Sequence, residues 1–244
     1  MIAAFLSDIH GNLPALEAAL TDACARGAEK IYCAGDIIGY GPFPTEVCHL
    51  LAEKQITAIV GNYDAKALDA LNRLADFKNS MKPGKWKILE WTCSHLDGEA
   101  QRFLSGLPDV HRERLAEKFD LLMVHGSPLS AEDALYPSIT TYGLKNKLAG
   151  ERPDILVCGH THIPFVKRVA GIIVVNCGSA GHPVDGDPRP AYALVKVLEG
   201  KPLSGRIIRF DYPKEEVVRA IERSSLPSSL GKDFSEGNKK REMP

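Results

Sequence analysis

The chain has 244 residues and a formal net charge of −1, with 44% of its residues hydrophobic and 25% charged. That is an ordinary globular composition, long enough to build one sizeable core, and its charge balance argues against electrostatic binding to nucleic acid or an anionic membrane. No apolar run approaches the roughly 20 residues that a spanning helix needs, and six scattered cysteines without a CxxC pair argue against a disulfide framework or a thiolate zinc site.

At the N-terminus, "MIAAFLSDIHGN" lacks a positive leader and meets Asp8 early, so it reads as a first strand and not as a signal peptide; with the cysteine usage this points to the cytoplasm. Asn12 caps a helix running to about Arg26, with Pro14 in its first turn and Leu13, Leu16 and Leu20 at helical spacing. "KIYCAG", "TEVCHLLAEK" and "ITAIVG" then read as strand, helix and strand. Helical text fills Ala65 to Ser105, broken at Lys82–Gly84 and at Asp97–Gly98. "FDLLMV" is a strand ending at His125, with charged text before it that can pair as a hairpin; a helix near Tyr142–Leu148 leads to the strand "DILVCG". The last third supplies "FVKRV", "IIVVN", "AYALVKVL" and "RIIRF", separated by turns such as Ala170–Gly171 and Glu199–Gly200–Lys201. A helix over Pro213–Arg223 closes a single mixed α/β domain, residues 1–225. Residues 226–244 read as a polar, flexible tail in which the basic run Lys239–Lys240–Arg241 is simply solvated.

The residues that end the apolar runs are more telling than the runs themselves. "AAFLS" ends at Asp8 and His10, "IYCAG" at Asp36, "AIVG" at Asn62, "LLMV" at His125 and "ILVCG" at His160 and His162. Carboxyl ends of strands are where open α/β sheets place ligand sites. Each polar residue alone is an ordinary cap or a solvated histidine, but no core needs seven of them at one kind of position. Imidazoles mixed with carboxylates, and no thiolate, suit Mn, Fe, Co, Ni or Zn rather than Ca. Seven ligands are too many for one tetrahedral ion and right for two divalent ions sharing a bridge. Gly35, Gly61 and Gly159 precede ligands, where the backbone turns tightly.

Taken together, D-x-H (Asp8, His10), G-D-x-x-G (Gly35, Asp36, Gly39), G-N-x-D (Gly61, Asn62, Asp64), H-G (His125, Gly126) and G-H-x-H (Gly159, His160, His162) resemble the calcineurin-like metallophosphoesterase family. The resemblance implies two mixed β-sheets packed face to face with helices outside. It places Asp8, His10 and His162 on one ion and Asn62, His125 and His160 on the other, with Asp36 bridging. It implies a phosphoesterase acting on small phosphate esters, with nucleotide-like phosphodiesters as the leading candidates, through a hydroxide formed from a water shared by two cations. A phosphomonoesterase and a non-catalytic binding module of the same fold are the alternatives.

Two departures from the family pattern matter. The family usually has G-N-H-[DE], and here Tyr63 stands in the histidine's place. A phenol, with a pKa near 10, is a reluctant acid, so Tyr63 is either a hydrogen-bond donor to the reacting phosphate or a packing residue, and Asp64 is structural. His182 is a further candidate donor. The arginines of G-D-x-x-D-R-G and R-G-N-H-E are absent from "GDIIGYGP" and "VGNYD", which favours the small phosphodiesterase-like branch over protein phosphatases and diadenosine tetraphosphate hydrolases. Tyr40 and Arg189 are the remaining candidates to touch substrate.

Overall fold

The structure is a computed structural model describing residues 1–198 and 203–237. Alternation with period two explains its centre. In β1 (Ile2–Leu6), Ala3 and Phe5 face one way and Ala4 and Leu6 the other; β6 (Ile155–Cys158) divides Ile155 and Val157 from Leu156 and Cys158 in the same way. Both faces of each strand are covered, which is why these segments read as unbroken apolar runs.

The first sheet has the order β10–β9–β1–β2–β3, with β2 at Lys30–Cys33, β3 at Thr57–Ala58, β9 at Ala191–Lys196 and β10 at Ser204–Arg209. Its β1, β2 and β3 are parallel, and β9 and β10 are antiparallel additions. The second sheet has the order β4–β5–β6–β8–β7, with β4 at Val110–Leu115, β5 at Phe119–Val124, β7 at Phe165–Val169 and β8 at Ile172–Asn176. β5, β6 and β8 run parallel there, and β4 and β7 are antiparallel edges. The two sheets meet face to face through Phe5, Tyr32, Met123, Val157, Val175 and Val195, with the Phe5 and Tyr32 rings stacked at 4.8 Å.

Helices cover the outer face of the first sheet: α1 (Leu13–Ala25), α2 (Pro44–Glu53), α3 (Asn62–Asn72), α5 (Pro83–Ser94), α6 (Gly98–Ser105) and α8 (Lys214–Glu222), with the short α4 (Leu74–Ser80) between α3 and α5. The smaller α7 (Thr141–Lys147) covers the second sheet through Leu144. None of the described helices is long and apolar enough to cross a membrane.

Three expectations need adjustment. Helix α3 begins at Asn62, not Ala65, so the G-N-x-D motif is itself the helix start. The strand expected over "ITAIVG" pairs only through Thr57 and Ala58. The tail expected from residue 226 contains α9 (Ser229–Glu236), whose Leu230 and Phe234, one turn apart, join Leu226 in the core; this apolar stripe is short and diluted by Gly231, Lys232 and Asp233. The turn at Glu199–Gly200–Lys201 and the basic run at Lys239–Lys240–Arg241 lie outside the described residues.

Candidate metal centre

Both sheets point the carboxyl ends of their parallel strands at one end of the sandwich, and the seven predicted residues meet there. Asp8 and His10 follow β1, Asp36 follows β2, Asn62 opens α3 after β3, His125 follows β5, and His160 and His162 follow β6. Main-chain bonds prolong the ladders into these turns: Asp8 N–H donates to Gly35 O at 2.9 Å, His10 N–H to Asp36 O at 3.0 Å, and Gly159 N–H to His125 O at 2.9 Å. A bond from His160 N–H to Asp8 Oδ2 at 2.9 Å ties the two sheets together. Such close approach needs glycine. A Cβ on Gly61 would overlap the Asp36 carboxylate, and one on Gly159 would overlap Ser7 and Asp8.

The side chains form two clusters. In the first, His162 Nε2 lies 3.1 Å from both Asp8 Oδ1 and His10 Nε2, and His10 Nε2 lies 3.8 Å from Asp36 Oδ2. In the second, Asn62 Oδ1 lies 2.9 Å from His125 Nε2 and 3.0 Å from His160 Nδ1, and His125 Nε2 lies 3.5 Å from Asp36 Oδ1. Asp36 presents one oxygen to each. The ligand atoms of Asp8, Asp36 and His125 also lie within 4.8 Å of one another, so the clusters are contiguous.

The imidazoles are oriented from behind. Nδ1 of His10 faces Ile38 O at 3.2 Å, Nδ1 of His125 faces Ala34 O at 2.8 Å, and Nδ1 of His162 faces His182 O at 2.6 Å. A carbonyl accepts only, so each Nδ1 carries a proton and each ring aims Nε2 inward, where in the neutral form its lone pair is free for a cation, the arrangement typical of metal-ligating histidines. Nε2 of His10 and Nε2 of His162 face each other at 3.1 Å, close enough to share a proton or to hold a cation between them. Asp8 Oδ1 is buried with His162 Nε2 at 3.1 Å beside it, and a carboxylate oxygen so desolvated needs a cation or a proton donor next to it. The donor set fits divalent transition-metal ions.

Electrostatics in the metal-free chain say the same. At His125 desolvation, the largest single influence, opposes the charge, but Asp36 and Asp8 together outweigh it and bring the group up to about 10. For His162 desolvation is likewise outweighed, chiefly by Asp8, and the pKa is raised. Burial dominates at His10, lowering it to about 4, and at His160, which is also lowered. Despite burial, the imidazoles hold Asp8 and Asp36 below the usual carboxylate range. The site thus collects positive charge around two carboxylates, as protons where ions are lacking.

Backbone conformation marks the same residues. Asp8, His10, Asp36, His160 and His162 all have positive φ, between 50° and 65°, a region costly for side chains other than glycine and concentrated at functional sites.

Tyr63, the candidate donor, is placed differently. Its ring lies so close to Gly39 that a Cβ there would overlap it, with Tyr40 at 5.2 Å and His10 at 6.2 Å between ring centroids. The hydroxyl is buried beside Thr92 of α5 without a well-aligned bond, and the Thr92 hydroxyl donates instead to Ile88 O at 2.9 Å. Burial, with Tyr40, pushes the phenol well above its ordinary pKa of 10. The hydroxyl thus lies beside α5 while the residue also lines the cavity, and the hydrogen bond Tyr63 makes to the seven residues is its N–H, donated to Asp36 Oδ1 at 2.7 Å. Asp64 is structural in the same sense: its carboxylate accepts from Ile37, Ile38 and Gly61 N–H at 3.2, 3.0 and 2.9 Å, joining the turns after β2 and β3.

In front of these residues opens a cavity of about 380 Å³, lined by Tyr40, Tyr63, Lys66, Lys85 and His182 as well as His10, Asp36, Asn62, His160 and His162. The His182 ring stacks on Tyr40 at 5.1 Å. Arg189 is instead held in a surface fork by Asp187, with Nη2 to Oδ2 at 2.8 Å. Sequence reading missed Asn176, whose amide donates to Gly159 O at 2.8 Å and Thr161 Oγ1 at 3.0 Å and so fixes the turn carrying His160 and His162; an asparagine ending the apolar strand "IIVVN" was the available signal.

All seven residues lie within residues 1–200, which match the family model for the calcineurin-like phosphoesterase superfamily domain. The chain belongs to this superfamily. It is 32% identical to an uncharacterized protein of Methanocaldococcus jannaschii over 93% of this chain and 95% of that one. It is 30% identical to phosphodiesterase YfcE of Escherichia coli over 75% of this chain and 82% of that protein. Among solved structures, a metallophosphoesterase from Sphaerobacter thermophilus superposes with a TM-score of 0.78 at 27% identity, covering 97% of this chain and 99% of that one. A hypothetical protein from Pyrococcus horikoshii gives 0.82 at 25% identity, over 98% and 99% of the two chains. As in other calcineurin-like phosphoesterases, the fold is a pair of mixed five-stranded sheets with outer helices.

Proposed function

We propose that the chain is a metal-dependent phosphodiesterase holding two divalent transition-metal ions. Asp8, His10 and His162 would hold the first, Asn62, His125 and His160 the second, and Asp36 would be shared. The observation carrying this reading is Asp36, whose two oxygens face two separate clusters, next to the fully buried carboxylate of Asp8. When bound, such ions supply Lewis acidity toward phosphoryl oxygens and lower the pKa of water to near neutrality.

The protein's own part is geometry. Ile38, Ala34 and His182 carbonyls fix three imidazoles, Tyr63 N–H fixes the shared carboxylate, and Asp64 clamps the two turns. Preorganisation of this kind removes the cost of reorienting groups during reaction. We assign Tyr63 a packing and positioning role, not proton donation. A diester is favoured over a monoester because Met81, Ile88 and Val184 also line the cavity and offer apolar surface for a second esterified group. Similarity to phosphodiesterase YfcE supports the same choice.

The test is hydrolysis of bis-p-nitrophenyl phosphate and p-nitrophenyl phosphate by protein stripped with chelator and reloaded with Mn²⁺, Zn²⁺, Co²⁺, Ni²⁺ or Fe²⁺. The expected result is diester cleavage restored by at least one ion. Cleavage of the monoester alone would reassign the protein as a phosphomonoesterase, and cleavage of neither would leave a binding module.

A further inference from the structure

Two lysines stand over the candidate centre. Lys66 lies four residues after Asn62 in α3, so both occupy one face of the helix, with Lys66 a turn farther out along the cavity wall. Lys85, in the first turn of α5, lines the same cavity from the neighbouring helix. Neither makes an ion pair or hydrogen bond to another described residue, whereas Arg73, in the same layer but away from the cavity, is held by Asp69 and Asp76. Among the described residues lining the cavity, Asp233 of α9 is the carboxylate besides Asp36 that stands with these two ammonium groups. At the floor, two divalent ions would bring four positive charges against the two negative charges of Asp8 and Asp36. A hydroxide and one phosphodiester would bring that sum to zero, which leaves the two lysines, offset in part by Asp233, to face further negative charge. A pocket lined by one sign of charge concentrates ligands of the opposite sign.

We propose that Lys66 and Lys85 bind a second phosphate on the substrate, remote from the scissile one, so that the preferred substrate is a phosphodiester whose organic part carries a further phosphate monoester. This rests on the function proposed above, because the centre must seat the first phosphate. The lysines would then be the specificity-determining groups in a chain lacking the arginines that grip phosphate in other branches. Their flexible stems suit a ligand group whose distance from the scissile phosphate is not fixed by a rigid fork.

The test is calorimetric titration of Mn²⁺-loaded protein with adenosine 5′-monophosphate and adenosine 3′,5′-bisphosphate, product-like ligands that differ by one phosphate. Wild type should bind the bisphosphate about tenfold more tightly or better, the size of one or two charge-assisted hydrogen bonds. The double variant K66Q/K85Q should lose that preference, and K66R/K85R should keep most of it. Raising salt should shrink the preference in wild type. Equal affinities in wild type, or an undiminished preference in K66Q/K85Q, would overturn the proposal. Hydrolysis of bis-p-nitrophenyl phosphate by the same wild-type preparation is scored separately. Selective binding without turnover sinks the proposed activity and keeps the second-phosphate site, while turnover without selectivity does the reverse.

Discussion

The two halves of the candidate centre are not equivalent. On the β1 side, Asp8, His10 and His162 are 0%, 1% and 7% exposed, and the cluster has a carboxylate of its own besides its share of Asp36. On the α3 side His125 is 1% exposed, but Asn62 and His160 are half-buried, and the carboxylate of the cluster is the shared one. A divalent ion on the first side thus faces more negative charge in a drier place than an ion on the second. On the function proposed above, the first position would hold its ion more tightly and the second would be the more open to solvent and substrate. Mutations, metal titration and pH each act on that contrast.

The largest effect should come from removing what the halves share. Asp36→Ala takes away ligands from both ions and the partner of the Tyr63 N–H. If the ions supply several kcal/mol of transition-state stabilisation, loss of the bridge should lower kcat by on the order of 10³-fold or more, with the circular dichroism spectrum unchanged. Near-wild-type activity in excess metal would mean that the halves do not act together.

The asymmetry itself is next. Titration of stripped protein with Mn²⁺ should show two unequal steps, with chelator removing the weaker ion first. Asp8→Ala should weaken the tight step by more than the roughly 10–100-fold that loss of an outer partner costs. Asn62→Ala should weaken the loose step and leave the tight one in place. Two equal steps in wild type would erase the contrast drawn from burial and charge.

A pH series gives a smaller, graded effect. In the metal-free chain the folded pKa of His125 is raised from 6.5 to about 10. Its protonated form is therefore favoured by folding: the stabilisation is fully present below about 6.5 and fades as pH rises toward 10. A metal ion competes with that proton for Nε2, so metal affinity should rise through the same window. Thermal unfolding with chelator and with Mn²⁺ should diverge as pH rises from about 6.5 to about 9.5, stripped protein losing stability and loaded protein gaining relative to it. A gap independent of pH would remove His125 from the ligand set.

Much of this was readable from the chain because strands and ligands use the same local rule, an apolar run ended at once by a polar residue. Asp8, Asp36, His125 and His160 each obey it, and all seven residues converge. What escaped were contacts with no local signature. The His182 carbonyl that orients His162 is twenty residues away, and any residue type offers a carbonyl. Lys66 and Lys85 look like ordinary solvated helix residues until α3 and α5 are placed side by side. Helix α9 escaped because its core contact rests on Leu230 and Phe234 alone among polar neighbours. The left-handed backbone at five ligands was hinted at by flanking glycines, but the ligands themselves adopt it.

Tyr63 should give the smallest effect, and its smallness is informative. A hydroxyl acting on the reacting phosphate would make Tyr63→Phe costly in proportion to how poor the leaving group is. A buried hydroxyl beside Thr92, with no partner of its own, predicts otherwise. Deleting it removes a desolvated donor, which is neutral or slightly stabilising by up to about 1 kcal/mol, and the N–H that holds Asp36 is untouched. Tyr63→Phe should therefore keep kcat on bis-p-nitrophenyl phosphate and on an alkyl diester within about twofold, a change that general acid catalysis, at roughly 10²–10⁴-fold, would far exceed. With no acid at this position, wild type should cleave activated aryl diesters much faster than alkyl ones. Tyr63→His, by putting an imidazole back where the family usually has one on the cavity wall, should narrow that gap only if a ring nitrogen reaches the departing oxygen from there. A Tyr63→Phe variant that loses activity selectively on alkyl esters would return the phenol to the chemistry, and would require its hydroxyl to swing out of the helical layer on the side where the loosely held ion meets substrate.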